Sequence, residues 1–160
     1  MKVRQQRRLS GLKQVEACTP PGFSGNLKLT GMAAKGKSYE RKVWSALTRM
    51  VQDGFLEGDL YLGPWFKYAD ANGPGLAQPD AMIVQPSGVL IIEAKLKQTP
   101  AATPQIELYG ELAEALIGRP WRGVAAFKFP TLKRDAWWVD TLDMVGAHDE
   151  RTISNWHYLG

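Results

Sequence analysis

Apolar residues recur at helical spacing between positions 38 and 52. The stripe consists of Val43, Trp44, Leu47, Met50 and Val51. Steps of three and four place these residues on one face of a helix. Ser38 can cap the start, Glu40 suits the first turn, and Asp53-Gly54 ends the pattern. The segment therefore predicts an amphipathic helix that ends near Gln52.

Short runs of β-branched and aromatic residues follow, bounded by glycine and proline. The predicted strands are 65–68, 80–84, 89–96 and 123–129, with shorter ones at 136–139 and 153–158. Gln85-Pro86-Ser87-Gly88 favours a type I turn, so the second and third strands should form a hairpin. Residues 72–78 predict a loop, and residues 1–35 predict a basic arm and an irregular lead-in.

A second helix is predicted from Thr103 to about Ile117. Thr103 can cap it, Pro104 suits its first position, and Gly118 suits its end. The order α-β-β-β-α-β predicts an α/β fold in which helices flank a mixed central sheet. The chain has 160 residues, which fits one domain, here 36–160, preceded by the arm and lead-in of 1–35.

Few soft metal ligands are present. The chain has one cysteine, Cys18, and two histidines, His148 and His157. An intrachain disulfide, a Cys-rich zinc or iron–sulfur site and a three-histidine centre are therefore excluded. A bound metal would be held by oxygen atoms, which favours Mg²⁺ or Mn²⁺. Because no apolar run reaches about 18 residues and no secretory signal pattern appears, we expect an intracellular protein without a membrane partner.

The hairpin register predicts that two acids meet. Glu93 and Lys95 share one face of their strand, about 7 Å apart. If Gln85 pairs with Gly88, Asp80 faces Glu93 directly, where like charges are destabilising. Such a pair indicates a bound cation, and the neighbouring amine can orient a water or stabilise a phosphate. The alternative is a salt-bridged surface hairpin.

Polar residues also head the apolar stripes of both predicted helices. Glu40 is in phase with Trp44 in the first helix, and Gln105 and Tyr109 are in phase with Leu112 in the second. These side chains should therefore point toward the sheet. The alternatives are a dipole-complementing glutamate and a partly buried amide and phenol bonded to backbone.

Together these residues resemble the signature of the PD-(D/E)XK nuclease superfamily. Pro79-Asp80 is followed, after twelve residues, by Glu93-Ala94-Lys95, with Glu40 upstream. The downstream Gln105-x-x-x-Tyr109 is similar to the motif of the branch that contains recombination and phage exonucleases. The resemblance covers roughly residues 36–130. It implies a restriction-endonuclease-like core.

The resemblance also implies a ligand set and an activity. Asp80, Glu93 and the carbonyl of Ala94 would bind Mg²⁺, for which Mn²⁺ can substitute, and Glu40 would be a direct or water-mediated ligand. Iron–sulfur members of the branch are excluded because their cysteines are missing. The implied activity is phosphodiester hydrolysis in DNA.

Catalytic roles are implied in the same way. Lys95 would be the catalytic lysine, supported by Gln105 and Tyr109. Exonuclease and structure-specific endonuclease both stay open, and the Gln-x-x-x-Tyr motif favours the first. A rival is a non-catalytic DNA-binding or assembly protein on a degenerate nuclease scaffold.

Basic and aromatic residues concentrate in the last third of a chain whose net charge is +4. The basic residues, for which DNA contact is predicted, are Arg119, Arg122, Lys128, Lys133 and Arg134. The tryptophans, for which core or homo-oligomer packing is predicted over base stacking, are Trp121, Trp137, Trp138 and Trp156. His148 is interpreted as a loop residue. The basic N-terminal arm fits either phosphate contacts or a solvated tail.

Overall fold

The computed structural model describes residues 9–18, 31–131, 138–139, 142 and 151–160. Its two helices are α1 (Gly31–Gln52) and α2 (Ala102–Ile117). Its strands are β1 (Gln14–Cys18), β2 (Asp59–Leu62), β3 (Trp65–Asp70), β4 (Gly73–Ala77), β5 (Ala81–Gln85), β6 (Gly88–Lys97), β7 (Trp121–Phe129), β8 (Trp138–Val139) and β9 (Ile153–His157). No helix of these ranges is long and apolar enough to cross a membrane.

The central sheet has six strands in the order β2-β5-β6-β7-β9-β8. Pairing is antiparallel from β2 to β6 and parallel from β6 to β8. Helix α2 forms the crossover between the parallel strands β6 and β7, a connection that usually needs a helix. The predicted mixed central sheet with two helices is therefore confirmed.

Each face of the central sheet is covered by one helix. Alternation along β6 and β7 sends successive side chains to opposite faces. The core under α1 includes Val43, Leu47, Leu90, Ile92, Val124 and Ala126. The core under α2 includes Ile106, Leu112, Val89, Ile91, Ala125 and Trp121. Strand β6 is thus buried on both sides, which makes it the most constrained element of the fold.

A second sheet of three strands, β1-β3-β4, packs on the α2 side. The strand predicted near Trp65 is confirmed, but it belongs to this small sheet and not to the central one. The prediction of a loop at 72–78 was wrong, since β4 lies there. Within the predicted arm and irregular lead-in of 1–35, β1 and the start of α1 are regular, and residues 1–8 and 19–30 lie outside the described residues. Pro74 is tolerated because β4 is an edge strand, where a missing N–H costs little.

Both predicted helix starts were wrong. Helix α1 begins at Gly31, so Ser38 lies inside it and is no cap. Helix α2 has Ala101 at its N-cap position with no side-chain cap, so Thr103 does not cap it. Pro104 lies in the first turn, where N–H groups lack helical partners anyway. The predicted end at Gly118 is confirmed, in the left-handed conformation with φ 79°.

Packing explains three of the tryptophans. Trp121, Trp138 and Trp156 are all buried, which confirms the packing interpretation for them. Trp138 packs edge-on against Phe127, with ring centroids 4.9 Å apart. Trp137 and His148 lie outside the described residues.

The contact between α2 and β7 depends on glycine. A Cβ at Gly110 would lie 2.3 Å from Trp121 Cδ2, far inside van der Waals contact. A Cβ at Gly123 would lie 2.3 Å from Ile106 Cγ2. These two positions let the helix backbone approach the sheet closely.

We predict that Gly110→Ala destabilises the fold by about 1–3 kcal/mol, because the added methyl overpacks the interface. Urea denaturation followed by tryptophan fluorescence measures the change. Gly36→Ala is the matched control, since a Cβ there meets no atom of the described residues within 4 Å. In α1 this control should stabilise by about 0.5–1 kcal/mol. A Gly110→Ala protein as stable as the wild type would contradict the prediction.

Candidate functional site

The β5–β6 hairpin has the predicted register. Gln85 pairs with Gly88, and Ala81 pairs with Ile92. Asp80 precedes β5 by one residue and therefore comes opposite Glu93. Because hydrogen-bonded and non-hydrogen-bonded pairs alternate from the turn, this pair falls at a narrow position, with Cα atoms about 4.5 Å apart.

Reciprocal hydrogen bonds lock the two acids together. The Asp80 N–H donates to Glu93 Oε1 at 3.1 Å. In the other direction, the Ala94 N–H donates to Asp80 Oδ2 at 2.7 Å. Since the N–H and C=O of one strand residue point to the same edge, the Ala94 carbonyl faces Asp80 as well. Two carboxylates and one carbonyl thus converge at the end of the hairpin.

The backbone of Asp80 is held by groups that the sequence did not reveal. Trp44 Nε1–H and the Gly63 N–H both donate to the Asp80 carbonyl, at 2.8 and 2.9 Å. Gln78 Nε2–H in turn donates to the Gly63 carbonyl at 3.0 Å. Gly63 has φ 59°, a conformation that favours glycine. Trp44 was predicted only as part of the apolar stripe, and its indole N–H was the missed signal.

Glu40 reaches the same cluster from α1. It is buried, as its position on the apolar stripe predicted. Burial raises the pKa of Glu40, and the negative charge of Asp80, with which it shares a hydrogen bond, raises it further. Lys37 Nζ lies 3.0 Å from Glu40 Oε2 and opposes this rise.

Glu93 is the most deeply buried of the three acids of the site. It is 3% exposed, and burial raises its pKa well above the usual range, with the charge of Asp80 as the second cause. Lys95 Nζ, 3.6 Å from Glu93 Oε2, lowers the pKa but does not cancel the effect. The ammonium group of Lys95 therefore compensates the burial of Glu93 only in part.

Helix α2 turns Gln105 and Tyr109 inward, as their position on its apolar stripe predicted. Both side chains are buried. Burial raises the pKa of Tyr109, as do the charges of Glu93 and Asp80, which shows that its phenol lies near them. Its hydroxyl is buried without a hydrogen-bond partner among the described residues. An unpaired buried hydroxyl costs about 1–3 kcal/mol, so a water or ligand oxygen would be stabilising there.

The donor set fits a small divalent cation. Mg²⁺ is usually held by one or two carboxylates together with waters and substrate phosphates. Asp80, Glu93 and the Ala94 carbonyl meet that requirement. Among the described residues no three His, Cys, Asp or Glu side chains are grouped to hold a metal ion. Glu40 is therefore better placed for a water-mediated role, although it hydrogen-bonds Asp80.

The predicted DNA-contacting residues do not share one location. Arg119 Nη1 donates to the Gln85 carbonyl at the hairpin turn, 2.9 Å away. Arg122 pairs in register with Leu90, whereas Lys128 is six residues further along β7, about 20 Å away. Of these, only Lys128 is at the end of the sheet where Lys95 lies. Lys133 and Arg134 fall outside the described residues.

No known protein-family model matches the chain, and no curated protein matches it. Function is therefore inferred from the geometry and charge of the site itself.

We predict that Glu93→Gln raises the stability of the metal-free protein by about 1 kcal/mol, because it removes a buried carboxyl group that faces a second acid, Asp80. In a domain of this size that is a rise in Tm of roughly 2–4 °C. The same change should abolish stabilisation by Mg²⁺ or Mn²⁺. Thermal unfolding with EDTA and with each metal measures both effects. Glu57→Gln, at an exposed acid, should change neither, and a destabilised Glu93→Gln protein would contradict the charge argument.

Trp44→Phe should weaken Mg²⁺ binding about tenfold while leaving the fold intact. The ring still packs, but the donor to the Asp80 carbonyl is lost, and groups that orient metal ligands commonly contribute about 10–100-fold in affinity. Titration calorimetry measures the affinity. Trp156→Phe, in the core away from Asp80, is the control. Equal Mg²⁺ affinity in Trp44→Phe and wild type would show that the indole does not position Asp80.

Proposed function

We propose that this chain is a metal-dependent DNA nuclease of the PD-(D/E)XK type, which hydrolyses phosphodiester bonds with Mg²⁺ held by Asp80 and Glu93. The observation that carries the proposal is the hydrogen-bonded pair of the buried Glu93 and the partly buried Asp80, with an ammonium group 3.6 Å from Glu93. A mixed sheet with one helix on each face is compatible with the restriction-endonuclease-like core that this assignment implies.

Burial argues against a simple salt-bridged hairpin. Surface ion pairs form between exposed side chains and contribute about 0–1 kcal/mol. Glu93 instead has 4% of its side chain exposed, and it faces a second acid. Removing two carboxylates from water is costly unless positive charge compensates them. A divalent cation would supply that charge, which supports a metal site.

Charge balance in the whole cluster supports the same conclusion. Three carboxyl groups, those of Glu40, Asp80 and Glu93, interact with one another. Two ammonium groups, those of Lys37 and Lys95, contact them. Among the described residues the carboxyl groups of the cluster outnumber its ammonium groups by one, and two of these acids, Glu40 and Glu93, are buried. A site with more carboxyl than ammonium groups is suited to bind a cation together with an anionic substrate.

The side chains of the chain have distinct tasks in the proposed reaction. A bound Mg²⁺ would act as a Lewis acid and favour ionisation of water. Lys95 is 29% exposed on its side chain, so its ammonium group can donate to a phosphate oxygen or hold the attacking water. A phenol is protonated at neutral pH, and the raised pKa of Tyr109 keeps it so, so its hydroxyl is a donor. Gln105 beside it can orient the same phosphate or water.

The substrate is proposed to be DNA, with exonuclease action favoured by the Gln105-x-x-x-Tyr109 motif. A degenerate, non-catalytic scaffold would have no need to keep the acids and the lysine in contact. Their contact therefore favours an active enzyme over a DNA-binding relic.

We predict that Asp80→Ala and Lys95→Ala each lower Mg²⁺-dependent cleavage by at least about a hundredfold, a typical loss for one group that stabilises a transition state. Lys95→Ala should keep metal binding, whereas Asp80→Ala should lose it. Gel assays on linear, circular and four-way-junction DNA measure cleavage, and calorimetry measures metal binding.

Lys97→Ala is the matched control, since Lys97 is exposed on the same strand. At saturating DNA its cleavage rate should stay near that of the wild type. Cleavage by both Asp80→Ala and Lys95→Ala at the wild-type rate would refute the assignment. Cleavage of linear but not circular DNA would identify an exonuclease.

A further inference from the structure

A basic pocket of about 310 Å³ lies between α1 and the carboxyl ends of β6 and β7. We call it the lysine pocket. It is lined by Lys35, Lys42 and Lys128 together with Ser38, Leu96 and Phe129. Lys35 and Lys42 are seven residues apart, which places them two turns apart on one face of α1. The third lysine comes from β7, so two elements bring positive charge to one cavity.

Within the part of the chain that the structure describes, no acid pairs with the lysines of the pocket. Its lining contains no acidic residue. Among the described residues no carboxylate forms an ion pair with Lys35, Lys42 or Lys128. Converging like charges repel each other, so an anion in the pocket would be stabilising.

One wall of the lysine pocket is aromatic. Phe129 is 47% exposed, and Lys128 Nζ lies 5.4 Å from the centroid of its ring. A basic groove combined with an exposed aromatic ring is the usual arrangement for a single nucleic-acid strand, whose bases stack on the ring while its phosphates contact the cations. Bases in a duplex are already stacked on each other and cannot reach such a ring. The chemistry therefore matches a single strand.

The lysine pocket lies near the candidate catalytic cluster. Leu96, in its lining, follows Lys95 on β6 and lies on the opposite face of the sheet, the one that α1 covers. Tyr39, also in its lining, precedes Glu40 on α1. The pocket and Lys95 thus lie at the same end of the sheet, and a strand bound in the pocket would pass over that end to reach the cluster.

The geometry points to the lysine pocket as a subsite that binds a phosphate group and the adjoining base of a single-stranded segment of the DNA substrate. This inference rests on the proposed nuclease function for its substrate. It assigns a binding role to Lys35, Lys42 and Phe129, which sequence analysis did not single out, and places Lys128 among them. The phosphate contacts the lysines, and the base lies on Phe129.

Binding of a fluorescent single-stranded oligonucleotide to the full chain in EDTA tests the inference without cleavage. Phe129→Ala should weaken binding about fivefold or more, since one stacked base contributes about that much. Lys128→Gln and Lys35→Gln should each weaken binding and lower the salt slope by about 0.7, the value for one lost phosphate contact on a single strand. Both Lys35 and Phe129 are exposed, so these changes should not unfold the protein. Thermal unfolding checks this.

Lys67→Gln is the matched control, because Lys67 is an exposed lysine on the small sheet. Its affinity and salt slope should equal those of the wild type. If Phe129→Ala, Lys128→Gln and Lys35→Gln also bind like the wild type, the inference is overturned. A larger loss for a blunt duplex than for the single strand would overturn it in favour of a duplex surface. Displacement by inorganic phosphate or a nucleoside monophosphate at oligonucleotide-like affinity would overturn it in favour of a product site.

The two proposals fail in different ways. If the wild type shows no Mg²⁺-dependent cleavage but the pocket variants lose single-strand affinity, the nuclease assignment is wrong and the pocket stands as a binding site. If cleavage occurs and the pocket variants bind normally, the nuclease assignment stands and the pocket is wrong.

Discussion

Two carboxylates that repel each other, the buried Glu93 and the partly buried Asp80, are held side by side by hydrogen bonds from the backbone of the opposite strand segment. The Asp80 N–H serves Glu93, and the Ala94 N–H serves Asp80. Each bond involves a charged acceptor, which makes it stronger than a bond between neutral groups. The hairpin can tolerate the repulsion between the two acids because its strands are fixed by hydrophobic cores on both faces of the sheet. The rest of the site is arranged around this pair.

Features set by local pattern could be predicted from sequence. The Pro-Ser turn fixes the pairing of Gln85 with Gly88, and strand alternation then determines that Asp80 meets Glu93. The helical phase of Glu40 and Tyr109 predicted that both side chains turn inward, and both are buried. In each case a short-range period, two for strands or 3.6 for helices, carries the information over only a few residues.

Features set by distant partners could not be predicted. Strand β1 has mostly exposed side chains and forms only because β3 pairs with it. Strand β4 consists of Gly-Pro-Gly-Leu-Ala, a sequence that is typical of a loop. It can form a strand here because it lies at the edge of the small sheet. Trp44, whose indole N–H donates to the Asp80 carbonyl, is 36 residues from Asp80 in sequence. No periodicity links Trp44 or Gly63 to Asp80. The start of α1 was missed because its first turns carry no apolar stripe.

The close packing of α2 against β7 has a consequence for the candidate site. Gly110 directly follows Tyr109, and its bare backbone rests against the ring of Trp121. The position of the Tyr109 phenol relative to the acids therefore depends on how closely α2 packs against β7. In the proposed nuclease, Gly110 would thus position Tyr109 without touching the substrate. The geometry of the candidate site depends on a missing methyl group as much as on any polar side chain.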